Sequence, residues 1–180
     1  KSAFELEYVG VKAPQFSFAR LKGSDPTLSV EMASTGEVAC FGDDLYEAFL
    51  KAFISVGYKI PRKSILLSTG DPHSKADLLE QCQLLAEMGY RLYATRGTYG
   101  FLKQNGIGSI EVSWPDENRK DLPHVIDLIQ RKIFDLVINI PKSYEKKELS
   151  NDYIIRRNSI DYNVPLITNT QVAKLFITSI

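Results

Sequence analysis

From residue 64 onward the chain settles into a regular rhythm. Short, largely apolar runs alternate with stretches in which apolar residues return every three or four positions. The first pattern is that of strands buried on both faces, the second that of amphipathic helices. The spacing predicts strands at "SILLS" (64–68), "RLYA" (91–94), "SIEVSW" (109–114), "DLVINI" (135–140) and "PLIT" (165–168). Between them fall helices. The first carries Leu78, Leu79, Cys82, Leu85 and Ala86, opened by Ser74 with Asp77 and stopped by Gly89. The others run from Thr98 to Asn105, from 124 to 132, from 150 to 162 and over "TQVAKLFITSI". A polar loop at 142–148 separates the fourth strand from its helix. Strands alternating with helices imply right-handed crossovers and an α/β domain: a five-stranded parallel sheet with helices on both faces.

Residues 1–58 follow a different pattern. "FELEYVGVKAPQFSF" alternates weakly and is interrupted by Pro14, and "LSVEMASTGEVACFG" reads as a further strand region around a Ser34-Thr35-Gly36 turn. A marked helix follows. Asp44 and Glu47 stand at capping-box spacing, Tyr46, Phe49, Leu50, Phe53 and Ile54 recur at helical intervals, and Gly57 ends the run. These elements are too few to close a core alone, so this piece reads as the end of a larger domain. "KIPRKS", with Pro61 among basic residues, marks the linker, placed at 59–63. The second domain is expected over 64–180.

Composition narrows the partners. Among 180 residues, Lys+Arg and Asp+Glu are both 22, so no net field draws the chain to nucleic acid or to an anionic membrane. No apolar run approaches the roughly 20 residues of a membrane span. Cys40 and Cys82 lack Cys-x-x-Cys spacing and nearby histidines, which argues for free thiols rather than a zinc site or a disulfide. The chain opens in a strand pattern without an initiator methionine or a signal peptide, and is expected to be part of a longer one.

In open α/β sheets ligands gather beyond the carboxyl ends of the strands. Those positions hold Ser68, Thr69, Gly70 and Asp71, with Lys75 just beyond; then Thr95, Arg96, Gly97 and Thr98; then Trp114 and Pro115; then Asn139, Pro141, Lys142 and Ser143; then Thr168, Asn169 and Thr170. The loop "TRGT" runs into a helix N-terminus. Free N–H groups, the helix dipole and two hydroxyls there suit a phosphate or carboxylate, although Thr98 could equally be a helix cap and Thr95 a turn residue. Trp114 is either core or the wall of a pocket. Asn139 ends an apolar strand, where a buried amide needs partners. Arg156 and Arg157 are read as solvated or paired with acidic neighbours, with contact to another domain as the alternative. Asp71 and His73 read as turn chemistry rather than a proton-transfer pair. Phosphate-loop, dinucleotide and nucleophile-elbow motifs are absent. The pattern is an anion pocket without catalytic machinery.

Several long motifs bear a resemblance. "EYVGVKAPQFSFARL", "VEMASTGEVACFG" and "FLKAFISVGYKIP" resemble the end of the second ATP-grasp unit of the carbamoyl-phosphate synthetase large subunit and its following join. "LYATRGT", "DLVINIP" and "DYIIRRNSIDYNVPLITNTQVAKLF" resemble its C-terminal regulatory domain, which has the methylglyoxal-synthase-like fold. The resemblance implies a parent ligase that makes carbamoyl phosphate from bicarbonate, ATP and ammonia or glutamine. It implies that the main ATP and Mg/Mn ligands lie outside this chain and that nothing is tightly bound here. The second domain would sense a small anionic effector and pass its state to the rest of the synthetase chain, with the 44–56 helix and the linker as transmitters. Thr95, Thr98 and Asn139 match the effector pocket of the family. Trp114 with Pro115 matches the urea-cycle type, activated by N-acetylglutamate. Lys142 stands where that type has an asparagine, and Asp152 at or beside another, a role Asn151 takes with a one-residue shift. Ser68 and Lys75 match the version that binds UMP or UTP. The implied compartment is the mitochondrial matrix for the urea-cycle type and the cytoplasm otherwise. A methylglyoxal synthase proper would need a G-D-Q-Q-like motif, which this sequence lacks.

Overall fold

The computed structural model describes residues 5–15, 23–26, 36–141 and 151–180. In the first part, β1 (Val9–Gln15) pairs antiparallel with β2 (Gly36–Gly42), Val9 lying opposite Gly42. Pro14 lies within β1 rather than breaking it. A two-stranded sheet has only edges, where a residue without an N–H is tolerated. The helix α1 (Leu45–Ser55) begins as its sequence predicts: Asp44 accepts from the Glu47 N–H at 2.8 Å, and the Glu47 carboxylate accepts from the Asp43 N–H at 2.6 Å.

The second part is built on β3 (Ser64–Thr69), β4 (Arg91–Thr95), β5 (Ile110–Val112), β6 (Leu136–Ile140) and β7 (Leu166–Ile167). They form a five-stranded sheet in the order β5-β4-β3-β6-β7, parallel throughout. The connecting helices are α2 (Pro72–Asp77), α3 (Leu79–Glu87), α4 (Arg96–Gln104), α5 (Val125–Gln130), α6 (Asn151–Asp161) and the closing α7 (Thr170–Ser179). Alternate strand residues supply two cores. Ile65, Leu67, Leu92, Ala94, Leu136 and Ile138 pack with residues of α1, α3, α4 and α7. Leu66, Tyr93, Val112 and Val137 face α5 and α6 through Val125, Ile129 and Ile155. The α/β class, the five strands and their parallel sense are as the hydrophobic rhythm predicts.

Boundaries differ where local hydrogen bonding decides them. Asp71, not Ser74, caps the helix after β3, accepting from the Ser74 N–H at 2.8 Å with Pro72 in the first turn. The predicted single helix is two, joined at Leu78. Helix α4 starts at Arg96, so Thr98 lies inside it and is not its cap. Gly89 and Gly106 take positive φ at the ends of α3 and α4, and Lys132 and Asn163 adopt the same left-handed geometry after α5 and α6.

The two parts share apolar surface. Phe53 of α1 stacks on Phe49 at 4.4 Å between centroids and lies 5.5 Å from Phe176 of α7. The Tyr58 hydroxyl donates to the Leu166 carbonyl at 2.5 Å, and burial pushes that phenol up to about 12. Cys40 and Cys82 are free thiols, the latter also pushed to about 12 by burial. At the amino ends of the strands, the Asp135 carboxylate accepts from the backbone N–H groups of Arg62, Lys63 and Ser64 at 3.2, 2.7 and 3.0 Å.

Burial raises the Asp135 carboxyl, but the three N–H groups and Arg62 outweigh it, leaving the group below its ordinary 3.8. A carboxylate with a depressed folded-state pKa stabilises above its unfolded value, and that contribution fades as pH falls through the folded one. Asp135→Ala is therefore expected to cost about 1–3 kcal/mol near neutral pH. The deficit should shrink below about pH 4. Urea melts across that range check this, and a pH-independent deficit would rule the carboxylate out. Phe176→Ala, at a fully buried position, is expected to cost about 3–5 kcal/mol. An unfolding free energy within about 1 kcal/mol of the parent's would show that α7 does not seal this core.

Candidate functional site

The strand order reverses at β3, whose neighbours β4 and β6 lead to opposite edges of the sheet. Such a switch point opens a crevice at the carboxyl ends of the strands. Ser68 of β3 and Asn139 of β6 are register partners there. The two-residue period of a strand carries Ser68 to the face of Leu66, Thr95 to that of Tyr93, and Asn139 to that of Val137. All three therefore lie beneath the helices of the α5–α6 face.

Each is fully dry, and each has found a partner. The Thr95 hydroxyl donates to Ser68 Oγ at 3.1 Å. Ser68 donates to Asp152 Oδ1 at 3.2 Å, and Asn139 Nδ2 donates to the same oxygen at 2.9 Å. Arg156 Nη1 donates to Asn139 Oδ1 at 2.9 Å. Arg156 completes its fork on Asp25, with Nε to Oδ1 at 2.7 Å and Nη2 to Oδ2 at 2.5 Å. The direction of every bond follows from the ends. A guanidinium only donates and a carboxylate only accepts, so the Asn139 amide can face only one way.

On the other face, Thr98 is held by Thr69, accepting from its N–H at 2.9 Å and donating to its carbonyl at 3.3 Å. No side chain caps α4, whose first turn is exposed at Arg96 and Gly97, and the first N–H groups of a helix have no acceptor within it. The Lys75 ammonium bonds the Gly70 carbonyl at 3.3 Å and lies 3.5 Å from where a Cβ on Gly97 would sit. A cation thus stands at the positive end of a helix dipole, an arrangement that an anion would relieve. Beside it Asp71 is held below the usual carboxylate range by the Ser74 hydroxyl and N–H.

Of the sequence-derived site residues, the structure joins Ser68, Thr95 and Asn139 in one network, whereas Thr98 is tied to Thr69 on the other face, apart from Thr95, and Lys75 bonds the Gly70 carbonyl. Trp114 packs against the α5–α6 core, and Asn151 donates to Asp116 Oδ1 at 2.6 Å, two residues beyond Trp114. Lys142 lies outside the described residues. Asp25, Asp152 and Arg156 were not anticipated as members. Asp152 appeared only as a departure from a motif and Arg156 only as half of a basic pair, because nothing local marks a charged helical residue as facing inward. Arg156 is in fact 2% exposed and bound to the N-terminal part, whereas Arg157 pairs with Asp161 at 2.5 Å and reaches the Ser24 carbonyl at 3.4 Å. Asp71 serves as a helix cap, and His73 lies 3.5 Å from Asp77, so the two make no proton-transfer pair. Among the described residues no three acidic, imidazole or thiol groups converge as metal ligands.

Residues 77–168, just over half of the chain, match the family model of the MGS-like domain. The chain is 44% identical, over 97% of its own length, to the multifunctional protein pyr1-3 of Dictyostelium discoideum, and spans 8% of that protein. It is 46% identical over 97% of its length to the mitochondrial carbamoyl-phosphate synthase [ammonia] of Aquarana catesbeiana, spanning 12% of it. The crystal structure of methylglyoxal synthase from Elizabethkingia anophelis NUHP1 covers 67% of this chain, and 83% of its own, at 23% identity and a TM-score of 0.49. Because the family model covers just over half of its residues, the chain belongs to the MGS-like domain family.

Proposed function

We propose that this chain is the effector-sensing region of a carbamoyl-phosphate synthetase, and that its site takes a small anionic metabolite, N-acetylglutamate in the first instance. The observation that carries the reading is the Lys75 ammonium standing over the open first turn of α4, beside the Ser68–Thr95–Asn139 network. It supplies positive charge and unspent N–H donors at a sheet switch point, where a carboxylate or phosphate is stabilised by helix dipole and ammonium together. The similarity to carbamoyl-phosphate synthase [ammonia] supports the parent activity. Trp114, and Asn151 against Asp116, edge the same end of the sheet and would wall the acyl part of the ligand.

Two further elements belong to this reading. β1, β2 and α1 would be the end of an ATP-grasp unit joined to the regulatory domain at about residues 59–63. The ATP and Mg/Mn of the parent would be held by the rest of the synthetase chain; among the described residues no three acidic, imidazole or thiol groups converge as metal ligands. The effector biases the parent by its differential affinity for two arrangements, typically about 1–3 kcal/mol. The compartment would be the mitochondrial matrix.

A nucleotide, UMP or UTP, is the second reading, in a cytoplasmic pyrimidine-type parent. Asp152 favours it: its carboxylate sits within the network, where it opposes the second carboxylate of N-acetylglutamate but would accept from a ribose hydroxyl.

Calorimetric titration of the chain with N-acetylglutamate, UMP and UTP decides between them. Lys75→Ala is expected to weaken the effective ligand by about 1.5–3 kcal/mol, or roughly 10- to 100-fold, with the unliganded melting temperature nearly unchanged. Undiminished affinity would remove Lys75 and the α4 terminus from the site. Thr98→Ala is a poorer probe. It strands the buried Thr69 N–H and is expected to lower stability by about 1–3 kcal/mol whether or not a ligand is present, which thermal melts would reveal.

A further inference from the structure

Residues 23–26 approach α6 from far along the chain and are held by one face of that helix. The Tyr153 hydroxyl donates to the Gly23 carbonyl at 2.9 Å, Arg157 reaches the Ser24 carbonyl, and Arg156 forks onto Asp25. Positions 153, 156 and 157 share a helical face. Arg156 is the unusual member: it is 2% exposed, and the carboxylate it binds is 35% exposed. A dry guanidinium without a carboxylate is strongly disfavoured, so something must always balance it.

We propose that Asp25 is a positioning residue for the candidate site, acting through Arg156 to hold the network closed, so that seating of residues 23–26 and anion binding oppose one another. The proposal rests on reading that site as an anion pocket. With Asp25 seated, the Thr95 hydroxyl donates to Ser68, and the Ser68 hydroxyl and one N–H of the Asn139 amide donate to Asp152. An incoming anion needs those same protons. Asp152 can release them only by acquiring another donor, and the one best placed is Arg156, four residues on along the same helix face. While Asp25 holds the Nε–Nη2 edge of that guanidinium and Asn139 accepts from Nη1, three of its five N–H donors are engaged and its plane is fixed on Asp25 rather than turned to Asp152. Once Asp25 withdraws, Arg156 turns to Asp152, and the Ser68 hydroxyl and Asn139 amide come free, with Thr95 behind them. The N-terminal part thereby reads the state of the pocket directly, in addition to the apolar contact of α1 with α7.

Asp25→Asn keeps the shape of the contact and removes its charge. Titrated with N-acetylglutamate, UMP and UTP, that variant is expected to bind the effective ligand at least about fivefold more tightly than the parent chain. By linkage the ligand should speed amide exchange at residues 23–26 of the parent. In Asp25→Asn/Arg156→Gln the tightening should vanish, because no guanidinium remains to take Asp152; this also keeps the test readable if a stranded arginine unsettles the single variant. Asp25→Glu should restore parental affinity. A ligand that binds the parent but binds Asp25→Asn equally or more weakly overturns the proposal and leaves the pocket reading standing. Silence of all three compounds on both chains overturns the pocket reading instead. The positioning role is then decided without ligand, by the Asn139 side-chain amide resonance. A shift in Asp25→Asn supports it, and an unmoved resonance rejects it.

Discussion

The structure turns on the cost of ending a buried sheet. β3 and β6 are covered on both faces along their whole length, yet their carboxyl ends carry Ser68 and Asn139, and β4 ends in Thr95. Beneath α6 these side chains are cut off from water, and each unmet hydrogen bond would cost about as much as a whole helix cap contributes. The amino-terminal half of α6 answers this by turning a carboxylate and a guanidinium inward, four residues apart on one face. Asp152 gathers the donors and Arg156 satisfies the acceptor. The inward charges then raise a second demand, met from outside the sheet by Asp25. Packing of α6, closure of the switch point and attachment of residues 23–26 are thus one requirement seen from three places.

The same economy shapes what the site can do. A pocket for an anion needs donors pointing at empty space, and in this arrangement the Ser68 and Thr95 hydroxyls and one Asn139 N–H are directed at protein partners. The unspent donors lie across the sheet edge, at Lys75 and the first turn of α4. On the proposed reading, an anion entering there would meet fixed positive charge at once and the buried network only after exchange. This separates a steering contact, which any small anion satisfies, from a selective one, which requires the ligand to compete with Asp152. Discrimination among carboxylates and phosphates would arise at the second step, where the alternative partner is a charge and not water.

The N-terminal part is joined by two unlike contacts. Phe53 against Phe176, with Tyr58 on the Leu166 carbonyl, is broad and apolar and changes little with small displacements. Asp25 on Arg156 is a two-point electrostatic contact that is either made or lost. The two contacts hold the N-terminal part by unlike physics, one by buried apolar area and one by a paired charge. Membership in the MGS-like domain family accounts for the sheet, and the relatives matched here carry that domain within much longer chains.

Five strands, their parallel sense, the capping of α1 by Asp44 and Glu47, and the glycine stops after α3 and α4 were all legible in the amino-acid sequence, because each depends on residues within a few positions of one another. So was the clustering of Ser68, Thr95 and Asn139 at one edge, since strand polarity alone brings carboxyl ends together. What escaped such reading were the pairings across distance. Pro72 with Asp71 looked like a turn and is a helix start, decided by where β3 delivers the chain. Thr98 looked like a cap and is a tie to Thr69, because α4 begins earlier than its apolar period. Asp152 stood only as a departure from a motif; for Arg156 an acidic neighbour or contact with another domain was open, but not which residue would supply it. Periodicity records which residues avoid water; a charged residue that turns inward does so only because a partner elsewhere in the chain is waiting for it, and that partner is known only once the chain has folded.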